Sequence, residues 1–143
     1  METALIAKKS ILINASSSEV WLALISPELI KKYLFGTETT SDWKVGSPIT
    51  FRGEWEGKFY EDKGTIKKII PNKLLKYTFW SSMSGKEDKP ENYANVIYEL
   101  ESEGNQTLLT ITQDNIATEQ SREHSESNWG MVLNSIKKLL EEK

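Results

Sequence analysis

The stretch 128-NWGMVLNSIKKLLEEK-143, at the end of the sequence, decides the fold class. Its apolar residues recur three or four positions apart, as on one face of an α-helix, and polar residues occupy the other positions. The apolar set is Trp129, Val132, Leu133, Ile136, Leu139 and Leu140. This pattern predicts a long C-terminal helix whose single apolar stripe must be covered by another element. The polar run 119–128 forms either the first turns of this helix or a loop that leads into it.

The N-terminal third predicts one strand followed by two short helices. Residues 4–14 are rich in β-branched and apolar side chains and end in turn residues, which is typical of a strand. Ser16 and Glu19 have the spacing of a capping box at the start of a helix. Pro27 can begin a second helix but obstructs continuation of the first, so we expect two short helices joined at a bend.

The middle of the chain predicts a series of strands. Apolar and polar residues alternate in 49–55, 75–80 and 96–100, and turn residues such as Gly104-Asn105 separate the segments. The connections are too short for parallel crossovers, so the sheet is expected to be antiparallel. The sequence therefore predicts an α+β helix-grip fold, in which a curved antiparallel sheet wraps around the long C-terminal helix. Two short helices follow the first strand.

The size and composition limit the possible functions. At 143 residues the chain matches one domain, so we expect residues 1–143 to form a single unit. The net charge of −3 does not indicate a nucleic-acid partner. The sequence contains no cysteine, which excludes a thiolate metal site. No apolar run is long enough to span a bilayer, so we predict no membrane insertion and a cytoplasmic location. A monomer and a homodimer both remain open.

A curved sheet stands off from a straight helix and tends to leave a space between them. Every second side chain along a strand lies on the face toward the helix. The large side chains at these positions either line this space as a cavity or fill it as ordinary core. We predict a cavity for a hydrophobic small molecule, with a wall formed by Phe51, Trp55, Tyr77, Phe79, Val96, Tyr98, Ile111, Gln113, Trp129 and Leu133. Buried Tyr and Trp would supply apolar surface together with a few hydrogen-bond donors.

The sequence offers little catalytic chemistry. His124 is the only histidine, which excludes a two-histidine metal site, and its polar surroundings favour a solvated side chain over a place at the cavity mouth. Four carboxylates lie around a predicted hairpin, where exposed charges are commoner than an acid/base pair. They are Glu54, Glu56, Glu61 and Asp62. We therefore predict no catalytic residue, no metal and no cofactor.

Several local strings resemble one known family. They are NASSSEVWLALISPELIKKYL, DWKVGSPITF, GTIKKIIPNKLLKYTFW, YELESEGNQTLLTIT and the terminal NWGMVLNSIKKLLEEK. In this order they resemble the START/polyketide-cyclase-like (SRPBCC) superfamily, in the branch named for heat-shock protein 90 ATPase-activator homologues. The resemblance implies a helix-grip fold with a hydrophobic cavity between the sheet and the terminal helix.

The resemblance leaves the function open, because this superfamily contains ligand carriers, cyclases and stress-related binding proteins. Our leading expectation is a non-catalytic protein that binds an apolar or amphipathic molecule, either a lipid or an aromatic metabolite. The polar segments 36–43 and 81–90 would then be mobile portals. The alternatives are a cyclase- or aromatase-like enzyme and a chaperone-related interaction module.

Overall fold

A computed structural model describes residues 5–34, 36–55, 57–82 and 85–141, with the side chain of Trp55 outside the description. A 3₁₀ turn at Pro90–Asn92 precedes the sixth strand. The strands and helices in chain order are β1 (Leu5–Ile13), α1 (Ser17–Ile25), α2 (Pro27–Tyr33), β2 (Glu38–Ser41), β3 (Pro48–Trp55), β4 (Lys58–Ile70), β5 (Leu74–Ser81), β6 (Ala94–Glu103), β7 (Gln106–Ile116) and α3 (Glu119–Glu141).

The strands form one seven-stranded sheet in the order β1-β7-β6-β5-β4-β3-β2. Every neighbouring pair is antiparallel. The strands β2 to β7 form a meander, and the last strand, β7, pairs with the first, β1. Together with α1 and α2 after β1 and the long α3, this confirms the predicted α+β helix-grip fold.

The two short helices form as their end signals predict. The side chain of Ser16 accepts a hydrogen bond from the amide of Glu19, and the Glu19 carboxylate accepts one from the amide of Ser16, which completes the capping box. Pro27 starts α2 directly after Ser26. The Tyr33 hydroxyl donates to the carbonyl of Ala23 over 2.9 Å, so α2 is held against α1 at the bend.

The helix α3 includes the polar run that the sequence left undecided. The side chain of Thr118 accepts a hydrogen bond from the amide of Ser121, which satisfies a donor at the start of the helix. Arg122 forms ion pairs with Glu119 and Glu126 along the first turns. Farther along, the predicted apolar stripe supplies the buried residues Val132, Leu133, Ile136 and Leu140.

The strand β2 was missed by the sequence analysis, which treated residues 36–43 as a mobile portal. Its segment Glu38–Ser41 is polar, but it pairs with β3 as an edge strand, with Thr39 opposite Phe51. An edge strand needs only one hydrogen-bonded neighbour, and the partner ladder orders it despite its weak propensity.

The segment 81–90 also has more order than a free portal. Ser81 is the last residue of β5. Asp88 pairs with Lys63 over 2.5 Å and accepts a hydrogen bond from the Tyr93 hydroxyl. The indole of Trp80 stacks on the ring of Tyr93. These contacts tie the described part of the segment to β4 and β5.

Gly64 in β4 marks a close approach between β4 and β5. A Cβ atom at this position would lie 1.5 Å from the carbonyl oxygen of Thr78, which no other residue type could accommodate without a backbone shift. The Thr78 side chain accepts a hydrogen bond from the neighbouring Thr65 amide over 2.9 Å. Glycine at position 64 therefore allows the backbones of β4 and β5 to approach closely at this point.

Candidate functional site

A partly open cavity of about 260 Å³ lies between the inner face of the sheet and the N-terminal half of α3. The end of α2 and the segment after it close one side. The lining residues are Leu34, Thr37, Phe51, Asp62, Tyr77, Phe79, Tyr98, Gln113, Ser125, Asn128, Trp129 and Val132. They come from separate elements, so the complete helix-grip arrangement is needed to form the cavity.

The cavity exists because α3 covers the sheet unevenly. Among the described residues, α3 packs chiefly against β1, with smaller contacts to α2 and β7, and lies farther from β3, β4 and β5. A curved sheet cannot follow a straight helix along its whole width, so a gap remains on the side away from β1.

Five of the twelve lining residues are aromatic, and their rings contact one another in a chain. Adjacent ring centroids lie 5.6 to 6.1 Å apart, and most of the pairs meet edge to face. Such tilted contacts are favourable because a ring edge carries positive charge and a ring face negative charge. In spatial order the rings are Phe79, Phe51, Tyr77, Tyr98 and Trp129.

A buried pair of tyrosines supplies polarity within this wall. The hydroxyls of Tyr77 and Tyr98 lie 2.9 Å apart. Burial raises the pKa of Tyr98 to about 12 and the pKa of Tyr77 well above its usual value. Both hydroxyls are therefore protonated at neutral pH. Because only one can donate within the pair, the other keeps a hydrogen for a third partner.

The indole of Trp129 is oriented by Gln113. Its Nε1 donates to the side-chain oxygen of Gln113 over 2.8 Å, which joins the middle of α3 to β7. The bond directs the Gln113 amide nitrogen away from the indole, since the oxygen is used as the acceptor. The cavity thus has a second fixed polar group, positioned by a residue that also forms its aromatic wall.

The helix α3 contributes two polar residues to the lining, Ser125 and Asn128, which lie on the same helical face as its apolar stripe. Ser125 and Asn128 precede Trp129 and Val132 at the spacing of one helical face. Ser125 is half-buried and Asn128 is exposed, so they form the rim of the cavity. The face of α3 that is apolar over the core is therefore polar at the rim of the cavity, at Ser125 and Asn128.

Asp62 is the charged residue of the cavity wall. In the sheet register it lies opposite Phe51 on β3 and opposite Ser81 on β5. Burial raises the pKa of its carboxyl, while hydrogen bonds from the Ser81 side chain and the Ser82 backbone act in the opposite direction. Among the described residues, its Oδ1 atom is buried without a hydrogen-bond partner.

Six of the ten predicted wall residues line the cavity: Phe51, Tyr77, Phe79, Tyr98, Gln113 and Trp129. Val96, Ile111 and Leu133 are not among the lining residues. They are almost completely buried and belong to the hydrophobic core. The predicted Trp55 ends β3, but its side chain lies outside the described residues.

The sequence analysis missed Leu34, Thr37, Asp62, Ser125, Asn128 and Val132. A signal for Asp62 was present, because a hairpin turn at Glu56-Gly57 pairs it with Phe51 and so places both side chains on one face. Ser125 and Asn128 could have been found by extending the helical face of Trp129 toward the N-terminus.

The remaining catalytic candidates lie outside the cavity. His124 is exposed and does not line it. Glu61 pairs with Arg52 over 2.5 Å on the outer face, and Glu54 is exposed. Glu56 lies outside the described residues. In the part of the chain that is described, no three His, Cys, Asp or Glu side chains are placed to hold a metal ion.

The sheet, the grip of α3 and the aromatic cavity define a helix-grip protein of the START/polyketide-cyclase-like superfamily. More specifically, residues 14–141 match the family described as activator of Hsp90 ATPase homolog 1-like protein, and the chain belongs to this family. The superfamily includes both ligand-binding and cyclase-like members. No functionally curated protein shows significant similarity to the chain.

Solved structures agree with this assignment. A solution structure from Cytophaga hutchinsonii is 47% identical, with a TM-score of 0.87, and the match covers 99% of this chain and 97% of that one. A Mesorhizobium loti crystal structure is 19% identical, with a TM-score of 0.79 and coverage of 97% and 98%. The Aha1 dimer of Colwellia psychrerythraea is 24% identical, with a TM-score of 0.74 and coverage of 95% and 96%. The latter two share the fold.

The helices of the described residues are α1, α2, α3 and a short 3₁₀ turn. None of them is both long and apolar enough to cross a bilayer. The helix α3 has the necessary length, but its first half is polar and charged.

Proposed function

We propose that this protein binds a small aromatic or otherwise compact amphipathic molecule in the cavity, without chemically changing it. The observation that carries the proposal is the continuous wall of five aromatic rings around a partly open space. A wall of this kind, with a few convergent polar groups, is the usual form of a small-molecule site.

The volume limits the size of the ligand. Sites for drug-sized molecules measure about 300–1,000 Å³, and an apolar cavity of about 150 Å³ suffices for benzene. The cavity measures about 260 Å³, which favours a compound with one or two rings. A sterol or a long acyl chain would exceed this space. Of the two ligand classes that the sequence suggested, the aromatic metabolite is therefore the better fit.

The polar groups would orient such a ligand. The hydrogen that the Tyr77–Tyr98 pair does not use internally can be donated to an oxygen or nitrogen of the ligand. At the rim, Ser125 and Asn128 border solvent and can contact a polar end that remains exposed. The ligand would bury its rings against the wall and keep one polar end near α3.

A block at the rim tests the proposal. Ser125→Trp is expected to fill the entrance and weaken the binding of an aromatic probe such as indole at least tenfold. Ser127→Trp places the same side chain at an exposed position of the same helix, outside the lining, and serves as the matched control. Affinity would be measured by NMR titration of ¹⁵N-labelled protein. Equal affinities of the unmodified protein and the Ser125→Trp variant would contradict the proposal.

A cyclase-like activity is the second candidate, and Asp62 is the observation that favours it. A carboxyl with a raised pKa in an apolar cavity can serve as a general acid or base. The test begins with a compound that copurifies with the protein. This compound is incubated with the protein, and mass spectrometry then measures whether its mass has changed. Conversion by the unmodified protein but not by Asp62→Asn would replace the binding proposal with this one. An unchanged compound would support binding alone.

A further inference from the structure

We propose that the cavity selects ligands that present a cationic amine, or an equivalent strong hydrogen-bond donor, to the Asp62 carboxylate. The inference rests on the proposed function, since it names the chemistry of the molecule that the aromatic cavity binds. It adds a specificity determinant that apolar walls alone cannot provide.

The position of Asp62 is the first argument. Its side chain shares the inner face of the sheet with Phe51, directly across the β3–β4 ladder, and both line the cavity. A carboxylate in an aromatic wall costs free energy unless a charged or strongly donating group accompanies it. The buried Oδ1 has no hydrogen-bond partner among the described residues, so one acceptor of this carboxylate is unused by the protein.

The lack of a counter-charge in the described wall is the second argument. The residues on either side of Asp62 in the chain, Glu61 and Lys63, form ion pairs with Arg52 and Asp88 instead. The other described residues that line the cavity come from β3, β5, β6, β7, α3 and the segment after α2, and none of them carries a positive side chain. Ser81 and Ser82 supply neutral hydrogen bonds, which leave the negative charge uncompensated.

The aromatic rings act in the same direction. The faces of Phe and Tyr rings carry negative electrostatic potential and attract cations within about 6 Å. Phe51 lies directly opposite Asp62 in the β3–β4 ladder, and the rings of Phe79 and Tyr77 contact Phe51. A carboxylate in the same wall as these rings makes the cavity favourable for an ammonium group and unfavourable for an anion of similar size.

Three probes with the same phenyl ring and similar length separate charge from shape. They are 2-phenylethylamine, which is cationic at pH 7, 2-phenylethanol, which is neutral, and 3-phenylpropionate, which is anionic. We expect the amine to bind about ten- to a hundredfold more tightly than the alcohol, the range typical of a hydrogen bond to a charged group. The anion should bind most weakly. Dissociation constants would be measured by NMR titration at fixed ionic strength.

Asp62→Asn keeps the size and one oxygen of the side chain but removes its charge. In this variant the amine should lose its advantage, while the alcohol binds within about threefold of its original affinity. Glu61→Gln removes the same charge from the adjacent residue on the outer face and should leave all three affinities unchanged. Thermal melting of both variants would establish that each is folded before the titrations.

The outcomes separate this inference from the proposed function. If all three probes bind with similar affinity, or if Asp62→Asn keeps the preference for the amine, the cation inference is wrong and the binding function stands. If none of the three probes binds to the unmodified protein, and indole does not bind either, the proposed function itself is wrong. A loss of preference in both Asp62→Asn and Glu61→Gln would show only a general charge effect and would also overturn the inference.

Discussion

Replacement of Gly64 by alanine should strongly destabilise the protein. The added Cβ would lie 1.5 Å from the carbonyl oxygen of Thr78 and 2.4 Å from its carbonyl carbon. Nonbonded heavy atoms of this type do not approach closer than about 3.0 Å, so the backbones of β4 and β5 would have to separate locally by about 1.5 Å. The contact is with backbone, and no side-chain rotation can relieve it.

The expected magnitude follows from the contacts beside Gly64. A displacement of about 1.5 Å would break the 2.9 Å bond from the Thr65 amide to Thr78, at a cost of about 1 kcal/mol or more. Overpacking of a well-packed region adds about 1–3 kcal/mol. We expect a loss of about 3 kcal/mol in the free energy of unfolding, against a typical total of about 5–15 kcal/mol. This corresponds to a melting temperature lower by about 10 °C.

The assay is urea unfolding followed by tryptophan fluorescence, with the slope of the transition compared between variants. Gly130→Ala is the matched control, because Gly130 lies inside α3 and an added Cβ would meet only the Lys9 side chain at 4.0 Å. Alanine in a helix interior is favoured over glycine, so this variant should gain about 0.5–1 kcal/mol.

The reasoning would be refuted if Gly64→Ala were destabilised by less than about 1 kcal/mol with an unchanged slope. Such a result would mean that β4 and β5 are farther apart at this point than the structure shows. Because Asp62 and Ile66 flank Gly64 in the same strand, a destabilised variant that still folds should also bind the aromatic probes less tightly.

Two further predictions concern the tyrosine pair and the first helix. Burial raises the pKa of Tyr98 to about 12, so the folded state keeps its proton longer than the unfolded state, whose tyrosine titrates near 10. Stability should therefore fall as the pH rises from about 10 toward 12, by up to about 1.4 kcal/mol per pH unit, and Tyr98→Phe should flatten this decline in urea midpoints. Ser16→Ala removes the hydrogen bond that caps α1 and should cost about 1 kcal/mol, whereas Ser16→Asp should retain most of the stability. Equal melting temperatures for these two variants would refute the capping argument.

The local signals in the sequence predicted individual elements well. The capping box at Ser16 and the break at Pro27 depend on neighbouring residues only, and the structure shows both. The apolar stripe of α3 was readable because helical periodicity is a property of one continuous segment. In contrast, β2 has a polar sequence and forms because β3 offers it a pairing edge, which its own residues do not reveal.

The candidate site was predictable only in part. Large alternating side chains such as Phe51, Tyr77 and Tyr98 indicated the inner face of the sheet, and these three line the cavity. Val96 and Ile111 have the same alternation, but they are fully buried in the hydrophobic core and do not line the cavity. Alternation assigns a side chain to a face but carries no information on the distance to the opposite layer.

The order of elements, the antiparallel sheet and the single apolar stripe of α3 could be predicted from the sequence, because they follow from periodicity, turn residues and caps within short segments. The tertiary structure was needed to show that α3 packs against β1 and leaves a cavity on the other side. It also decided that Asp62 faces that cavity. These features depend on the curvature of the sheet and on strand register, which arise from the packing of segments far apart in the chain.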